Sequence, residues 1–493
     1  MLIRKRLDCW DKIRNKSQDE INMRVLILSG SREIVHVMVP PIGEAYLASY
    51  LIDQGYDVKF LDLTLSNDYK KDISKTLENF NPQVIGISIR NVDSSTYPGN
   101  LFFYLSVKGI IFYIKQLVEP EIPIILGGAG FSIFSKEILK DLNHNLGVVG
   151  DGEYAFAEIL KKIDNKEDPR KIEKGICYLD NRGEYHQKPP WRVDNLDVLP
   201  FPFREMMEND AYLIDPLNKS GPKWGNIQTK RGCPMNCIYC SYRYIEGSNV
   251  RYRSPKNVVK ELDLMVNNYG IKNIFIVDSI FNLNYEHVKD TCKEIINHKI
   301  DVNWGANYVP NEKYLDLMPL MRKSGAVHFA TGIESLSEEM LKNMNKNRSP
   351  NDSILTSKKC IELGIEQLIH IIVGGPGETL ETVQTSLDRL ETIESYKGNL
   401  WQGDGDVIIF IGMRIYPHTP LQRIAEEEGI ILEGENLLKP KFYISPKIKE
   451  VDLYQIIREY SEKNPRWMTP GLGLNNPKGF GELSQIQFTK YQK

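Results

Sequence analysis

The sequence predicts an α/β protein. An N-terminal doubly wound, Rossmann-like domain covers residues 23–163, a linker 164–222, a partial (β/α)6 barrel 223–430, and a small C-terminal region 431–493. Three observations carry this expectation. Short β-branched runs alternate with amphipathic helical stretches both before residue 164 and after residue 223. Those runs are apolar on both faces, which calls for parallel strands covered by helices. Between the two blocks lies a polar, proline-bearing stretch with the turn signals DNKEDPRK, DNRGEYHQKPP and LPFPF.

In the first block RVLILSG, VKFLDL, VIGISIR, IPIILGG and LGVVG read as strands, and YLASYLIDQG, ISKTLENF, VKGIIFYIKQL, SKEILKDL and AFAEILKKI as the helices between and after them. A ligand of such a sheet lies outside the carboxyl ends of its strands. The linker holds a short hairpin around GICYLDNRGEYHQ and little core of its own. In the second block GNIQTK, IKNIFIVD, DVNWGANY, AVHFATGIE, EQLIHIIVGG and DVIIFIGMRIYP are the six strands, each but the last followed by a long helix. Barrel chemistry belongs at their C-terminal ends. The tail carries one helix near Val451–Glu462.

Bulk properties exclude several classes. The chain has 62 basic and 65 acidic residues, no excess positive field for a polyanion, so no nucleic acid is expected as partner. No apolar run approaches the roughly 18 residues that span a bilayer, so no membrane is expected either. The N-terminus lacks the apolar core of a secretory signal, which points to the cytoplasm. Seven cysteines form an odd set, unlike a disulfide scaffold. Cys9, Cys177, Cys292 and Cys360 stand alone and read as buried or incidental thiols.

The other three are clustered. In QTKRGCPMNCIYCSY, Cys233, Cys237 and Cys240 follow the first barrel strand on one tight loop. Three thiolates there can ligate three irons of a cubane and leave the fourth open. Structural zinc, the competing reading, wants a fourth nitrogen or sulfur ligand, and neither cysteine nor histidine lies nearby.

The CPMNCIYC stretch resembles the CxxxCxxC signature of radical S-adenosylmethionine (SAM) enzymes, with Tyr239 in the aromatic slot. The resemblance implies a 4Fe-4S cluster on Cys233, Cys237 and Cys240, SAM on the open iron, and an electron donor such as flavodoxin or ferredoxin. It places SAM contacts at Asp278 and Ser279 after the second strand, Glu334 and Ser335 after the fourth, and Gly374, Gly375 and Pro376 after the fifth. Arg414 and Tyr308, with Tyr416 and Asn307, end strands expected to face the cavity, and Arg414 and Tyr308 stand as candidate catalytic residues.

A doubly wound domain ahead of such a barrel resembles the cobalamin-binding domain of the cobalamin-dependent subclass. Gly127, Gly128 and Gly130 in ILGGAGFS would let the nucleotide tail of cobalamin lie against backbone, and Gly150, Gly152 and Glu153 open the last helix. The first loop, SREIVHVMVPPIG, lacks the D-x-H-x-x-G motif that supplies a histidine to cobalt, and His36 sits there without it. The RNVD, GGAGFS and E-G-x-x-x-R (Glu246, Gly247, Arg251) stretches look closest to the tryptophan-methylase-like branch. The implied function is methyl transfer from SAM via methylcobalamin to a carbon of a small-molecule or peptide substrate; a rearrangement or cyclisation without methyl transfer is the alternative.

Overall fold

A computed structural model describes residues 23–32, 39–64, 66–206, 212, 224–393 and 406–475. Cys9 and His36 lie outside the described residues.

The N-terminal sheet has the order β2-β1-β3-β4-β5-β6-β7. Its strands are β1 (Arg24–Ser29), β2 (Asp57–Asp62), β3 (Val84–Ser88), β4 (Ile124–Gly127), β5 (Leu146–Val148), β6 (Ile176–Leu179) and β7 (Tyr185–Gln187). The first five are parallel, and β6 and β7 add as an antiparallel hairpin. The side-chain alternation of a strand sorts β1 into two cores. Val25 and Ile27 pack with residues of α1 (Ile42–Asp53) and α6 (Gly152–Asp164). Leu26 and Leu28 face α2 (Tyr69–Phe80), α3 (Tyr104–Leu117), and the short α4 (Ala129–Ile133) and α5 (Ser135–Asp141). The linker is therefore not coreless: Ile176 and Cys177 of its hairpin are fully buried, and the first domain runs on past residue 163.

The second sheet runs β18-β15-β14-β13-β12-β11-β8. These are β8 (Trp224–Ile227), β11 (Asn273–Ile276), β12 (Asn303–Tyr308), β13 (Ala326–Glu334), β14 (Glu366–Val373), β15 (Val407–Ile411) and β18 (Trp467–Met468), all parallel. Six strands were expected and a seventh, β18, comes from the C-terminal region. Two residues bounded by prolines carry no periodic signal, so only pairing with β15 reveals it. Helices α8 (Pro255–Tyr269), α9 (Tyr285–Asn297), α10 (Met318–Lys323), α11 (Glu338–Asn343), α12 (Pro350–Leu363) and α13 (Leu380–Glu391) connect these strands, α11 and α12 both lying between β13 and β14. Local sequence starts and stops them. Ser254 caps α8 before Pro255, Ser349 and Thr379 form capping boxes on α12 and α13, and Gly270 and Gly364 end α8 and α12 in the left-handed conformation. The antiparallel ribbon β9 (Lys230–Arg231) with β10 (Arg251–Tyr252) brackets the short α7 (Tyr242–Ile245). A second ribbon, β16 (Met413–Arg414) with β17 (Phe442–Tyr443), flanks α14 (Pro420–Glu427), and α15 (Glu450–Lys463) covers β15. Among the described residues no helix is long and apolar enough to cross a membrane.

Candidate functional site

The cysteine loop leaves β9 and is tied down at both ends. Cys233 N donates to Gly247 O at 3.0 Å and Gly232 N to Glu246 Oε2 at 2.9 Å. Gly232 has φ +97°, and a Cβ there would lie 2.2 Å from Asn249 O, so this turn requires glycine. Ile238 N donates to Met344 O at 3.3 Å and Cys240 N to Cys237 O at 3.2 Å. Burial pushes the Cys240 thiol up to about 11, with Cys237 and Cys233 adding to the rise. Three thiols on one loop become thiolates when a cationic centre joins them. The donor set therefore fits an iron–sulfur cluster.

Around this loop the expected SAM residues have unequal fates. Glu334 ends β13 with φ +57° and is the centre of a buried charge cluster. It accepts from Tyr239 Oη at 3.0 Å, pairs with Lys346 at 3.2 Å and also pairs with Arg348. Against the penalty of burial, Lys346 and Arg348 hold its carboxyl below the usual range. Tyr239 and Glu334 are thus brought together through each other. Asp278 is a correction. It is fully buried, accepts from Thr229 N at 2.7 Å, from the Thr229 hydroxyl and from Lys230 N at 3.2 Å, and so fastens the cysteine loop to the second barrel strand. Ser279 receives the Lys230 ammonium at 2.8 Å. Ser335, 1% exposed, accepts from Ser337 N at 3.1 Å and donates to Ser386 Oγ at 3.3 Å; it braces the start of α11.

The Gly374–Pro376 turn is saturated by its own surroundings. Gly374 N and Gly375 N both donate to Glu378 Oε2, Asn343 Nδ2 to Pro376 O at 3.1 Å, and Ser445 N to Gly374 O at 2.9 Å. A Cβ on Gly375 would meet Met413 at 2.8 Å. What this turn can offer a purine is surface rather than free N–H groups. Glu378 itself is fully buried, its Oε1 lacks a hydrogen-bond partner among the described residues, and burial pushes its carboxyl up to about 7.

A cavity of about 320 Å³ opens between the two domains at the carboxyl ends of β1, β3, β4 and β5. Its lining includes Gly127, Gly128, Gly150, Gly152 and Glu153 from the first domain, and Gln228, Arg231 and Glu246 from the second. Gly152 and Gly43 line it with nothing within 4 Å of an added Cβ, and Gly127 with nothing nearer than 3.9 Å. Side chains at these positions would project into free space, so the cradle fits a cofactor lying against backbone. Gly128 and Gly130 serve the fold instead: a Cβ on Gly128, φ +100°, would lie 2.6 Å from Ile89 O, and one on Gly130 2.9 Å from Arg90 O. Glu153 is also committed, receiving both arms of Arg231 at 2.7 and 3.2 Å across the domain boundary. Asp151 gathers Arg251 and Arg231 into the same network.

Both candidate catalytic residues are corrected by geometry. Tyr308 falls on the helix side of β12 with Trp304 and stacks on Phe329 at 4.5 Å. The period-two pleat sends Asn307, not Tyr308, inward, where its amide donates to Asp278 O at 2.9 Å. Arg414 is buried in an ion pair with Asp93 of the first domain at 2.9 Å; Tyr416 meets Ser95 of that domain at 2.7 Å. These two hold the domains together. Sequence reasoning missed Lys230, Arg231, Lys346, Arg348 and Glu378. Lys230 and Arg231 stand inside the flagged cysteine stretch and Glu378 closes the flagged glycine turn, whereas Lys346 and Arg348 lie in no motif.

Comparison with known proteins agrees with this geometry. Residues 34–160 match the B12 binding domain and residues 227–390 the Radical SAM superfamily. An uncharacterised methyltransferase of Pyrococcus horikoshii is 26% identical over 88% of this chain and 95% of its own length. The anaerobic magnesium-protoporphyrin IX monomethyl ester cyclase of Rubrivivax gelatinosus is 28% identical over 87% and 74%. Among solved structures, the radical S-adenosylmethionine methyltransferase TsrM from Kitasatospora setae, with cobalamin and a 4Fe-4S cluster bound, superposes with a TM-score of 0.79 at 21% identity, covering 95% of this chain and 96% of that one. The cofactors that go with these two domains are a 4Fe-4S cluster, SAM and cobalamin. A B12 binding domain set directly against a radical SAM barrel that bears the three-cysteine loop makes this chain a member of the cobalamin-dependent radical SAM enzymes.

Proposed function

We propose that the chain is a C-methyltransferase that moves a methyl group from SAM to a carbon of a small molecule or peptide. The observation that carries this is the cavity wall shared by the domains: Arg231, two residues before Cys233, lines the same space as Gly127 and Gly152. When bound, the cofactors supply a cobalt that can carry a methyl group and a cluster that can pass one electron to the sulfonium of SAM. The protein's part is to hold and orient. Gly43, Gly127 and Gly152 keep a cradle open to the cofactor. The Arg231 pairs with Glu153 and Asp151, and the Arg414 pair with Asp93, hold that cradle at a set distance from the cysteine loop. Tyr239 and Glu334 form the wall beside the cysteines on which SAM would lie.

The similarity to a methyltransferase over 95% of its length supports methyl transfer. The similarity to a cyclase keeps a second reading in play, cyclisation or rearrangement with the same cofactors. Flavodoxin or ferredoxin suits the electron supply, and a reducing compartment such as the cytoplasm suits three unpaired thiols. The test is turnover of reconstituted protein with extracts from cells lacking it. S-adenosylhomocysteine together with a product heavier by one methyl group is the expected outcome; product formation without S-adenosylhomocysteine would replace this reading with the second.

A further inference from the structure

We propose that Lys346 is a positioning residue for the cluster, a buried cation that makes its one-electron reduction easier. Residues 344–346 run along the cysteine loop and are laced to it. Met344 O accepts from Ile238 N at 3.3 Å, Asn345 Nδ2 donates to Asn236 O at 2.7 Å, and Lys346 Nζ stands 5.1 Å above the ring of Tyr239. Tyr239 lies between Cys237 and Cys240 in the chain. Asn345 takes φ +57°, a turn that delivers the next side chain inward. Lys346 keeps only 11% of its side chain exposed and reaches Glu334 at 3.2 Å. Glu334 is shared with Arg348, whose guanidinium also donates to Gly332 O and to Ile333 O at 2.8 Å. Two cations against one carboxylate leave one net positive charge, and Lys346 is the member set over the cysteine loop. Its charge acts on both Cys237 and Cys240.

Reducing a cluster from the 2+ to the 1+ state adds one electron to a core already held by three thiolates. A cation fixed beside it, away from water, favours the reduced form, because charge interactions are stronger there than in solvent and cluster potential follows local net charge. This rests on the cluster's seat at Cys233, Cys237 and Cys240 and not on methyl transfer, so failure of the methyl-transfer reading leaves it standing.

The test is a redox titration of the reconstituted full chain with dithionite as electron donor, followed by electron paramagnetic resonance of the reduced cluster. At the potential that half-reduces the wild type, Lys346→Met should lower the ratio of reduced to oxidised cluster about tenfold, a shift of about 59 mV for one electron. Lys346→Arg should stay within about twofold of wild type. Glu334→Gln, which adds net positive charge, should move the ratio the opposite way and keeps the idea testable if Lys346→Met loses its cluster. An unchanged midpoint in Lys346→Met at full iron and sulfide content would overturn the proposal. So would shifts in the same direction for Lys346→Met and Glu334→Gln.

Discussion

The Arg414–Asp93 pair ties the domains together, and Arg414→Met measures how firmly. Arg414 Nε sits 2.9 Å from Asp93 Oδ2, with side chains 2% and 0% exposed. Methionine retains much of the stem that packs against Phe134 and Tyr416, whose rings lie 5.6 and 5.0 Å from the guanidinium. What is lost is the charge and the donors to Leu437 O at 2.7 Å and Ile415 O at 2.5 Å. Removing one partner of a buried ion pair costs about 3–5 kcal/mol, since the other charge stays buried and uncompensated. Asp93 Oδ1 keeps Ser95 N at 2.8 Å and Asn100 Nδ2 at 3.3 Å, which sets the expectation at the low end, about 3 kcal/mol. Urea unfolding monitored by tryptophan fluorescence and by circular dichroism should show the domain boundary giving way first, as separate transitions in the variant. A double-mutant cycle with Asp93→Asn should return a coupling of about 2 kcal/mol. Single variants that each cost under about 1 kcal/mol, or costs that simply add, would refute the assignment of Arg414 to domain locking.

Three further outcomes are expected. Replacing Cys233, Cys237 and Cys240 together by alanine should abolish the broad charge-transfer absorption of reconstituted protein, and unchanged iron and sulfide content in that variant would place the cluster elsewhere. Gly127→Leu, whose Cβ meets nothing nearer than 3.9 Å, should fold yet fail to retain hydroxocobalamin on gel filtration; stoichiometric retention would remove the cavity from the cofactor site. Gly128 is a poor probe of the same point, because its φ of +100° and the 2.6 Å approach to Ile89 O make any side chain a folding defect. Glu378, pushed up to about 7 by burial, binds its proton more tightly folded than unfolded, so its contribution is full below about pH 4.5 and is lost as pH rises through about 7. The drop in urea midpoint between pH 5.5 and pH 8 should therefore be smaller in Glu378→Gln than in wild type, and an equal drop in both would contradict the burial argument.

The sequence by itself determined the element order and the cysteine loop, because both are written in local signals. Strand runs apolar on both faces demand a covered parallel sheet, and three cysteines within eight residues need no tertiary contact to be noticed. The absence of the D-x-H-x-x-G motif from the first loop is equally local. Tertiary structure decided what each flagged side chain does. Asp278 and Glu153 looked like ligands in strand-end and helix-start positions, yet one fastens Thr229 and the other receives Arg231. Tyr308 and Arg414 end strands as expected, but pleat parity turns the first outward and an aspartate 321 positions away claims the second. Lys346 and Arg348 have no motif around them and acquire their setting only when β13 delivers Glu334 between them. Periodicity along a chain reports which residues are covered, whereas the partner of a buried charge is set by long-range approach, so ion pairs across the domain boundary appear only once the two sheets are packed together.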